Sequence, residues 1–434
     1  MTPVEIGLLS LIAMVVLIVA GLHIATTLLL LSCIGVWLIR GSLDVTLSLF
    51  AQAASDTIAS QEFAVVPMFV LMGLLVSAAD LGKDLFVLAN GLWGRLRGGL
   101  GVATVFANAV FAAITGISIA SASVFTKVAI PEMLTYGYSP RFATGVVAGS
   151  SVLGMLIPPS LLMILYAFLA QQSVGTMFLA GIVPGIVLAL VYGFGIVGMA
   201  RIAPRRVMRL EAVEVAVGVD RSVLLRTAPI LLLIAVVLGG IYGGFFTATD
   251  AGAVGAVGAA LIALGRRKLT LSSGWRVATE AGGITVAVLF LIIAANLYSR
   301  MLALSGLPQI IIETIVGMGL GVTGFMLLYI AIVIALGCII DSASIMLLVL
   351  PLSLPVVAAL QVDPVWFGVV TVVAVEIGLL TPPLGLSVLT IKSALDDPTI
   401  TESDIFSGSF PFVLMMLLVL VLLMVFPGIA LVLT

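Results

Sequence analysis

Long apolar runs, separated by short polar segments, make up most of this chain of 434 residues. A helix needs about 20 apolar residues to cross the hydrocarbon core of a bilayer. With their flanks, about ten runs approach that length, and they cover residues 4–20, 24–40, 63–80, 141–170, 176–200, 227–246, 250–265, 284–303, 364–394 and 408–433. The pattern predicts an all-α integral membrane protein with about ten transmembrane helices.

Composition supports this class and excludes several others. Hydrophobic residues make up 62% of the chain and charged residues 9%, whereas a soluble protein carries about 25% charged residues. The net charge of −2, with no basic tract, gives no indication of nucleic-acid binding. Cys33 and Cys338 both lie in apolar runs, so no disulfide framework is expected. Glu5 and the absence of a basic leader favour a retained first helix over a signal peptide.

Two of the apolar runs carry the same arrangement of proline and glycine. In each run a glycine follows a proline by 14 residues and precedes a double proline by 4 residues. These residues are Pro140, Gly154, Pro158 and Pro159 in one run and Pro364, Gly378, Pro382 and Pro383 in the other. The simplest alternative is that each double proline only kinks its helix.

A proline inside a helix removes the hydrogen bond to the carbonyl four residues earlier. The double prolines should therefore free the carbonyls of Gly154, Met155, Gly378 and Leu379. Partial negative charge concentrated at such breaks suits a dehydrated cation such as Na⁺. Duplicated broken helices are typical of transporters built from two structural repeats, with the binding site where the breaks meet.

Two further apolar stretches, 101–131 and 324–356, carry Gly, Ser or Asp near their middles. Each could be one long helix or a re-entrant helical hairpin. Lysine and arginine near span ends favour the cytoplasmic side. With ten spans and two hairpins the main basic clusters share one side, whereas two full spans would separate them. The clusters are Lys83, Arg95 and Arg97; Arg201, Arg205, Arg206, Arg209, Arg221 and Arg226; and Arg266, Arg267, Lys268 and Arg276. Two hairpins are therefore predicted, with both termini periplasmic.

The polar segment 201–226 divides the chain into halves of similar length, residues 1–200 and 227–434. It is predicted to be a cytoplasmic linker. Three spans precede the hairpin in each half, and the first half starts outside while the second starts inside. The halves are thus predicted to be two inverted repeats, each with a hairpin and a broken span, at 141–170 and 364–394.

Several polar residues inside apolar sequence are candidates for function. The segment from Thr115 to Ser123 is either a small-residue packing face or a hairpin tip whose N–H groups hold a carboxylate. Asp341 precedes Pro351 by 10 residues, as Ser121 precedes Pro131. A charged Asp at mid-bilayer costs about 3 kcal/mol, which favours a role in ion binding or gating.

Glu376 lies in the second broken span, where it is either proton-linked or a packing residue. Lys127 is expected to extend towards the cytoplasm.

At these residues the chain resembles the large membrane subunit of the tripartite ATP-independent periplasmic (TRAP) transporters. The similarity extends over essentially the whole sequence. Its most specific parts are Gly240 to Ala251, Gly337 to Pro355 with Asp341, Pro364 to Gly385 with IGLLTPPLG, and Ile157 to Ser160. The resemblance implies an elevator-type, Na⁺-driven importer of organic acids in the bacterial inner membrane. It also implies a small four-helix membrane subunit (Q type), separate from this chain, and a periplasmic substrate-binding protein.

The resemblance also implies where ligands bind. The first Na⁺ would lie between one hairpin tip and the first break, at Ser118, Ser121, Ser123, Gly154, Met155 and Pro158. The second would lie between the other tip and the second break, at Asp341, Ser342, Ser344, Gly378, Leu379 and Thr381. The substrate would contact both tips and breaks, at Ser121, Ala122, Ser123, Ser342, Pro159 and Pro383. No cofactor beyond the coupling ion is expected.

Two other functions remain open at this stage. One is a stand-alone ion-coupled dicarboxylate carrier or antiporter of related fold. The other is an intramembrane enzyme that uses Asp341 and Glu376 as paired acids, which requires the two carboxyl groups to converge. The sequence has no Walker motif, nucleophile elbow or metal-ligand spacing, so a transporter is preferred to an enzyme. C4-dicarboxylates, keto acids, sugar acids and sialic acid are all compatible substrates.

Overall fold

The computed structural model describes residues 1–208, 221–395 and 397–434, without the side chains of Val19 and Val316. Part of the predicted linker, including Arg209, lies outside the described residues. The first half contains α1 (Pro3–Val19), α2 (Ile24–Arg40), α3 (Leu43–Ala59), a 3-10 turn (Gln61–Ala64), α4 (Val65–Ala78), α5 (Leu81–Trp93), α6 (Gly99–Thr115), α7 (Ser118–Thr135), α8 (Pro140–Ser151), α9 (Leu153–Leu156), α10 (Leu161–Ala170), α11 (Val174–Ile202) and α12 (Pro204–Val207). The second contains α13 (Arg221–Tyr242), α14 (Ala248–Gly265), α15 (Leu271–Ser305), α16 (Leu307–Gly317), α17 (Gly321–Gly337), α18 (Ser342–Ala359), α19 (Pro364–Leu379), α20 (Leu386–Ala394), α21 (Glu402–Val425) and α22 (Gly428–Leu431).

The predicted fold class is confirmed. Eight segments of the described chain are long and apolar enough to cross a membrane, and α1, α2, α6, α17 and α19 are shorter apolar helices. Outside the helices, the described part of the chain has one isolated β-bridge, between Tyr138 and Met208. Helix α11 extends to Ile202 and α13 begins at Arg221, both within the segment 201–226 that the sequence predicts to be a linker. Residues 221–226 are therefore helical.

Both predicted hairpins are pairs of helices joined by a short turn. Gly116 ends α6 with a left-handed φ of +63°, and the N-cap residue Ile117 leads directly into α7. The two helices pack through Phe111 and Phe125, whose ring centroids are 5.7 Å apart. In the second half, residues 338–341 join α17 to α18.

Both double prolines coincide with interruptions between helices. In the first half, α9 ends at Leu156 and α10 begins at Leu161. In the second half, α19 ends at Leu379 and α20 begins at Leu386. The peptide bond within each double proline is cis.

Each broken helix packs against helices of the other half. α8 crosses α21 so closely that a Cβ atom on Gly145 would overlap the backbone of Gly408. Correspondingly, a Cβ atom on Gly368 of α19 would lie 2.7 Å from the terminal methyl group of Met177 in α11. The hydroxyl of Tyr166 in α10 donates a hydrogen bond of 2.5 Å to the Pro364 carbonyl. These exchanged contacts make the two halves one packed unit.

Ion pairs also join the two halves at the end that carries the predicted cytoplasmic clusters. Lys268 lies 2.7 Å from Asp80, and Arg266 pairs with Asp84. The Arg266 guanidinium also donates to the carbonyl of Arg226. The loop between α14 and α15 is thereby attached to the turn between α4 and α5.

Candidate functional site

The tip of the first hairpin lies directly on the first helix break. The N–H of Leu161, just after the break, donates to the Gly116 carbonyl at 3.1 Å. A Cβ atom on Gly116 would lie 2.5 Å from the Pro159 carbonyl oxygen. Glycine is therefore required here both by the left-handed φ and by the close approach of the break.

On the other side of this tip, Gly154 packs against Ile117 and Ser118, whose backbone atoms would lie 3.4 Å from an added Cβ atom. The N-terminus of α7, whose first N–H groups have no acceptor within the helix, thus lies against the single turn of α9.

Three buried hydroxyl groups of α7 have no hydrogen-bond partner among the described residues, and two of them, on Ser118 and Ser121, lie in its first turn beside this contact. Ser118 is 1% and Ser121 is 0% exposed, and neither Oγ atom has a hydrogen bond within the described residues. An unsatisfied buried hydroxyl costs about 1–3 kcal/mol. Binding of a ligand that the hydroxyl oxygen can coordinate, such as a cation, is therefore favoured. Both serines belong to the set predicted for the first ion site, which stays a prediction.

Ser123 does not join that pair. Helix α7 begins at Ser118, so Ser121 and Ser123 are both helical. Side chains two positions apart in an α-helix point in directions that differ by about 200°. Ser123 therefore points away from Ser121 and is half-buried. Ala122, predicted to contact substrate, is fully buried in this conformation.

The breaks free fewer carbonyls than the proline rule alone predicts. The Met155 carbonyl accepts a hydrogen bond of 2.5 Å from the Ser160 hydroxyl. The Gly378 carbonyl accepts one of 2.9 Å from the Thr381 N–H. In the described part of the chain, none of the backbone hydrogen bonds outside the helices is donated to the carbonyl of Gly154 or Leu379. Their helical donors would be Pro158 and Pro383, which have no N–H, and these two carbonyls remain open to a cation.

The second hairpin meets the second break through two glycines. A Cβ atom on Gly378 would lie 2.5 Å from the Gly337 Cα atom and 2.8 Å from the Ile334 carbonyl oxygen. Beyond the break, the N–H of Leu384 donates to the Cys338 carbonyl at 3.0 Å. This bond corresponds to the one between Leu161 and Gly116 in the first half. The same tip-to-break contact is therefore built twice.

Asp341 is the N-cap residue of α18. Its carboxylate accepts the Ser344 N–H at 3.1 Å and also the Ser344 hydroxyl. The side chain is exposed in the isolated chain, so its remaining acceptor positions are open. The Thr381 hydroxyl donates to the Ile377 carbonyl at 2.7 Å, which leaves its oxygen free to accept. Ser342 lies in the first turn of α18 and is half-buried.

The two prolines expected near substrate differ in exposure. Pro159 is buried under the first tip, whereas Pro383 is exposed. The second tip and break are therefore open in this conformation, and the first are closed.

Glu376 and Asp341 do not form a pair of acids. Both carboxyl oxygens of Glu376 are buried without a hydrogen-bond partner in the part of the chain that the structure describes, and the residue is 1% exposed. Asp341 instead bonds to Ser344. The convergence that an enzyme of this type requires is absent between these residues, and the described residues contain no cluster of metal-ligating side chains.

Sequence reasoning did not identify the residues that close the two contacts. Gly116, Gly337, Cys338 and Ser160 were not among the predicted site residues, yet each lies at a tip or a break. A glycine that ends a helix in the left-handed region is a common signal, and Gly116 fits it. Ser160, which caps α10 by accepting the Met163 N–H, follows its double proline directly.

Comparisons with known proteins agree with this architecture. Residues 11–429 match the family model described as "Tripartite ATP-independent periplasmic transporter, DctM component". The C4-dicarboxylate TRAP transporter large permease protein DctM of Pseudomonas aeruginosa is 33% identical over 367 residues, covering 84% of each protein. The sialic acid TRAP transporter permease protein SiaT of Haemophilus influenzae is 28% identical, covering 84% of this chain but 58% of that protein.

A solved structure of Neisseria gonorrhoeae MtrF, described as an antimetabolite efflux pump, shares the fold. Its TM-score is 0.61 at 12% identity, covering 98% of this chain and 95% of that one. Because the sequence relatives are transporter permeases, this chain is a multi-pass membrane transport protein and not an enzyme. It belongs to the DctM component family of tripartite ATP-independent periplasmic transporters.

Proposed function

We propose that this chain is the large subunit of a secondary-active, Na⁺-coupled importer of a small carboxylate across the bacterial inner membrane. Both termini face the periplasm in this proposal. The observation that supports it most is the duplicated contact between a hairpin tip and a helix break, with Gly116 meeting Pro159 and Gly337 meeting Gly378. Two such contacts in one membrane protein place partial charges at helix ends within the protein, as ion-coupled transporters do.

The first Na⁺ site is best supported by its orphan oxygens. The hydroxyls of Ser118 and Ser121 have no partner, and the Gly154 carbonyl lacks its helical donor. The second site would combine Asp341 with the Leu379 carbonyl and the Thr381 hydroxyl. A carboxylate in that site balances the charge of a dehydrated cation.

A carboxylate substrate fits the helix N-termini at the two tips. α7 and α18 both begin at a tip, so their free N–H groups and dipoles attract negative charge. Relatives named for C4-dicarboxylates and for sialic acid both carry acids.

Two partners are expected, a separate Q-type membrane subunit and a periplasmic binding protein. About two-fifths of the H. influenzae relative has no counterpart in this chain, since the match covers 58% of it. That remainder is long enough for a small membrane subunit. Large exposed side chains such as Leu8, Trp37 and Leu47 on α1 to α3 offer an apolar surface to such a subunit or to lipid.

An elevator movement would carry both tips and both breaks as one unit relative to the remaining spans. In this proposal residues 1–200 and 227–434 are the inverted repeats and 201–226 is the cytoplasmic linker. Gly73 of α4 touches the first tip, because an added Cβ atom would lie 2.9 Å from the Thr115 carbonyl oxygen. A glycine at that position lets α4 approach the backbone of the tip closely.

Uptake into proteoliposomes tests this function. The complex of both membrane subunits should accumulate a labelled carboxylate only when the binding protein and an inward Na⁺ gradient are present. Asp341→Asn should reduce the apparent Na⁺ affinity at least about tenfold, because removing a charged ligand costs about 1.5–3 kcal/mol. Accumulation without a Na⁺ gradient would contradict the coupling. Uptake without the binding protein would favour a stand-alone carrier.

The hydroxyl of Ser121 provides a second, sharper test. Ser121→Ala should leave the Na⁺-free protein as stable as the wild type or up to about 1 kcal/mol more stable, because the orphan hydroxyl is removed. The same change should weaken stabilisation by added Na⁺, measured by thermal unfolding at increasing NaCl against matched choline chloride. Ser123→Ala is the matched control and should behave as the wild type. Equal effects at both positions would contradict the assignment.

A further inference from the structure

A cleft of about 620 Å³ opens at the end of the molecule that carries the basic clusters. It lies between the start of α8, the end of α11 with α12, and the first turns of α21. None of the predicted ion or substrate residues lines it. Its floor is apolar and its rim is polar. The apolar lining residues, of which the second, third and fifth are partly exposed, are Phe142, Met199, Ala203, Val207, Pro411 and Phe412.

The rim carries an excess of positive charge. Arg141, Arg205 and Arg206 face one carboxylate, that of Asp404. Arg141 Nε lies 2.8 Å from Asp404 Oδ1, and the arginine side chain is still 67% exposed. Arg205 and Arg206 form no ion pair with any acidic residue among those described. Within the described residues, two of the three guanidinium groups therefore have no acidic partner.

The arginines belong to a segment that is fixed in place. The Ser139 hydroxyl donates to the Arg206 carbonyl at 2.6 Å, and the Ser139 N–H donates to the Val207 carbonyl at 2.8 Å. The bridge between Tyr138 and Met208 extends this attachment. The rim is thus held against the start of α8, with the Arg205 and Arg206 guanidinium groups unpaired among the residues that the structure describes.

The surroundings of the cleft are those of a lipid-facing surface. The flanking helices α11 and α21 present apolar side chains outward, with Phe194 75% and Phe410 59% exposed. A soluble anion would need neither these faces nor the apolar floor. A glycerophospholipid combines an acyl chain for the floor with a phosphodiester for the arginines, which bind phosphate through paired N–H donors.

We propose that this cleft binds one anionic phospholipid of the cytoplasmic leaflet, with the headgroup phosphate at Arg205 and Arg206 and an acyl chain along Met199, Ala203 and Pro411. Basic pockets between transmembrane helices on the cytoplasmic side bind anionic headgroups in the same way. Because α8 belongs to a broken helix and α12 leads into the linker, a bound lipid would connect the two. The proposal relies on the proposed membrane orientation but not on sodium coupling or on the substrate.

Lipid binding to the purified full-length membrane complex tests the proposal. Phosphatidylglycerol is titrated in detergent and bound lipid is counted by native mass spectrometry, with phosphatidylcholine as the neutral reference. The double variant Arg205→Gln/Arg206→Gln should lose roughly thirtyfold in apparent affinity for phosphatidylglycerol. The control variant Arg267→Gln/Arg276→Gln removes equal charge from exposed positions outside the cleft and should bind as the wild type. Equal losses in both variants, or no loss in the first, would overturn the proposal.

Two further arms separate the lipid from a soluble anion. Met199→Trp fills the cleft without changing its charge and should also reduce lipid binding, while its size-exclusion profile stays that of the wild type. Normal lipid binding by Met199→Trp would remove the acyl-chain part of the proposal.

Inorganic phosphate should not displace bound phosphatidylglycerol at millimolar concentration. Displacement by phosphate would identify a soluble-anion site instead.

Discussion

Gly145→Val should prevent the protein from forming a stable, monodisperse species after extraction from the membrane. The Cβ atom would overlap the backbone of Gly408 at the crossing of α8 and α21, and a Cβ atom on Gly408 would in turn overlap the Arg141 carbonyl. Overpacking usually costs about 1–3 kcal/mol. Here the obstacle is backbone, which cannot change rotamer, so we expect a loss at or above the upper end of that range.

Size-exclusion profiles and thermal unfolding in detergent measure this effect. Gly193→Val on α11 is the matched control, because no atom lies within 4 Å of an added Cβ atom there. It should elute and unfold like the wild type. If Gly145→Val behaved the same way, the two helices would cross less closely than described. The Arg141–Asp404 ion pair joins the same two helices, and it would then contribute more to holding α8 against α21.

Gly378→Ala should nearly abolish sodium-dependent uptake while the protein still reaches the membrane. The added methyl group would lie 2.5 Å from the Gly337 Cα atom and 2.8 Å from the Ile334 carbonyl oxygen. To accommodate it, the second tip must move away from the second break. Strain of about 1–3 kcal/mol corresponds to a roughly fivefold to 150-fold loss in the population of the competent state.

Initial uptake rates at increasing Na⁺ concentration, normalised to protein in the vesicles, measure this loss. Gly282→Ala is the control, since it lies within α15 with open space around it. It should keep wild-type uptake and is expected to be slightly more stable, because alanine favours helix over glycine. Wild-type uptake by Gly378→Ala would mean that the contact between tip and break is not needed for transport.

The positions of the helix breaks were predictable because their cause is local. A double proline removes two successive N–H donors whatever surrounds it. The helices accordingly stop at Leu156 and Leu379, just before Pro158 and Pro382. The choice of hairpins over full spans also came from the sequence, through the sidedness of the basic residues. The ion pairs of Arg266 and Lys268 lie at that basic end.

Side-chain directions at the first tip were not predictable to the same extent. Ser118, Ser121 and Ser123 look equivalent as hydroxyl donors, but α7 begins at Ser118 and turns Ser123 to another side. Helical periodicity would have separated Ser121 from Ser123 if the start of the helix had been known. The carbonyl of Met155 was predicted to be free, but Ser160 occupies one of its acceptor positions. A local cap therefore changed the expected ligand set.

The sequence alone determined that the chain is a helical membrane protein with two interrupted helices and two hairpins, because hydrophobic length, proline chemistry and charge sidedness act within short segments. The tertiary structure decided which segments touch. Gly116 reaches Pro159, and Gly337 reaches Gly378, across about forty residues of chain in each case. Such contacts depend on how closely helix backbones approach, which follows from the packing of all the helices together and not from any one stretch of residues.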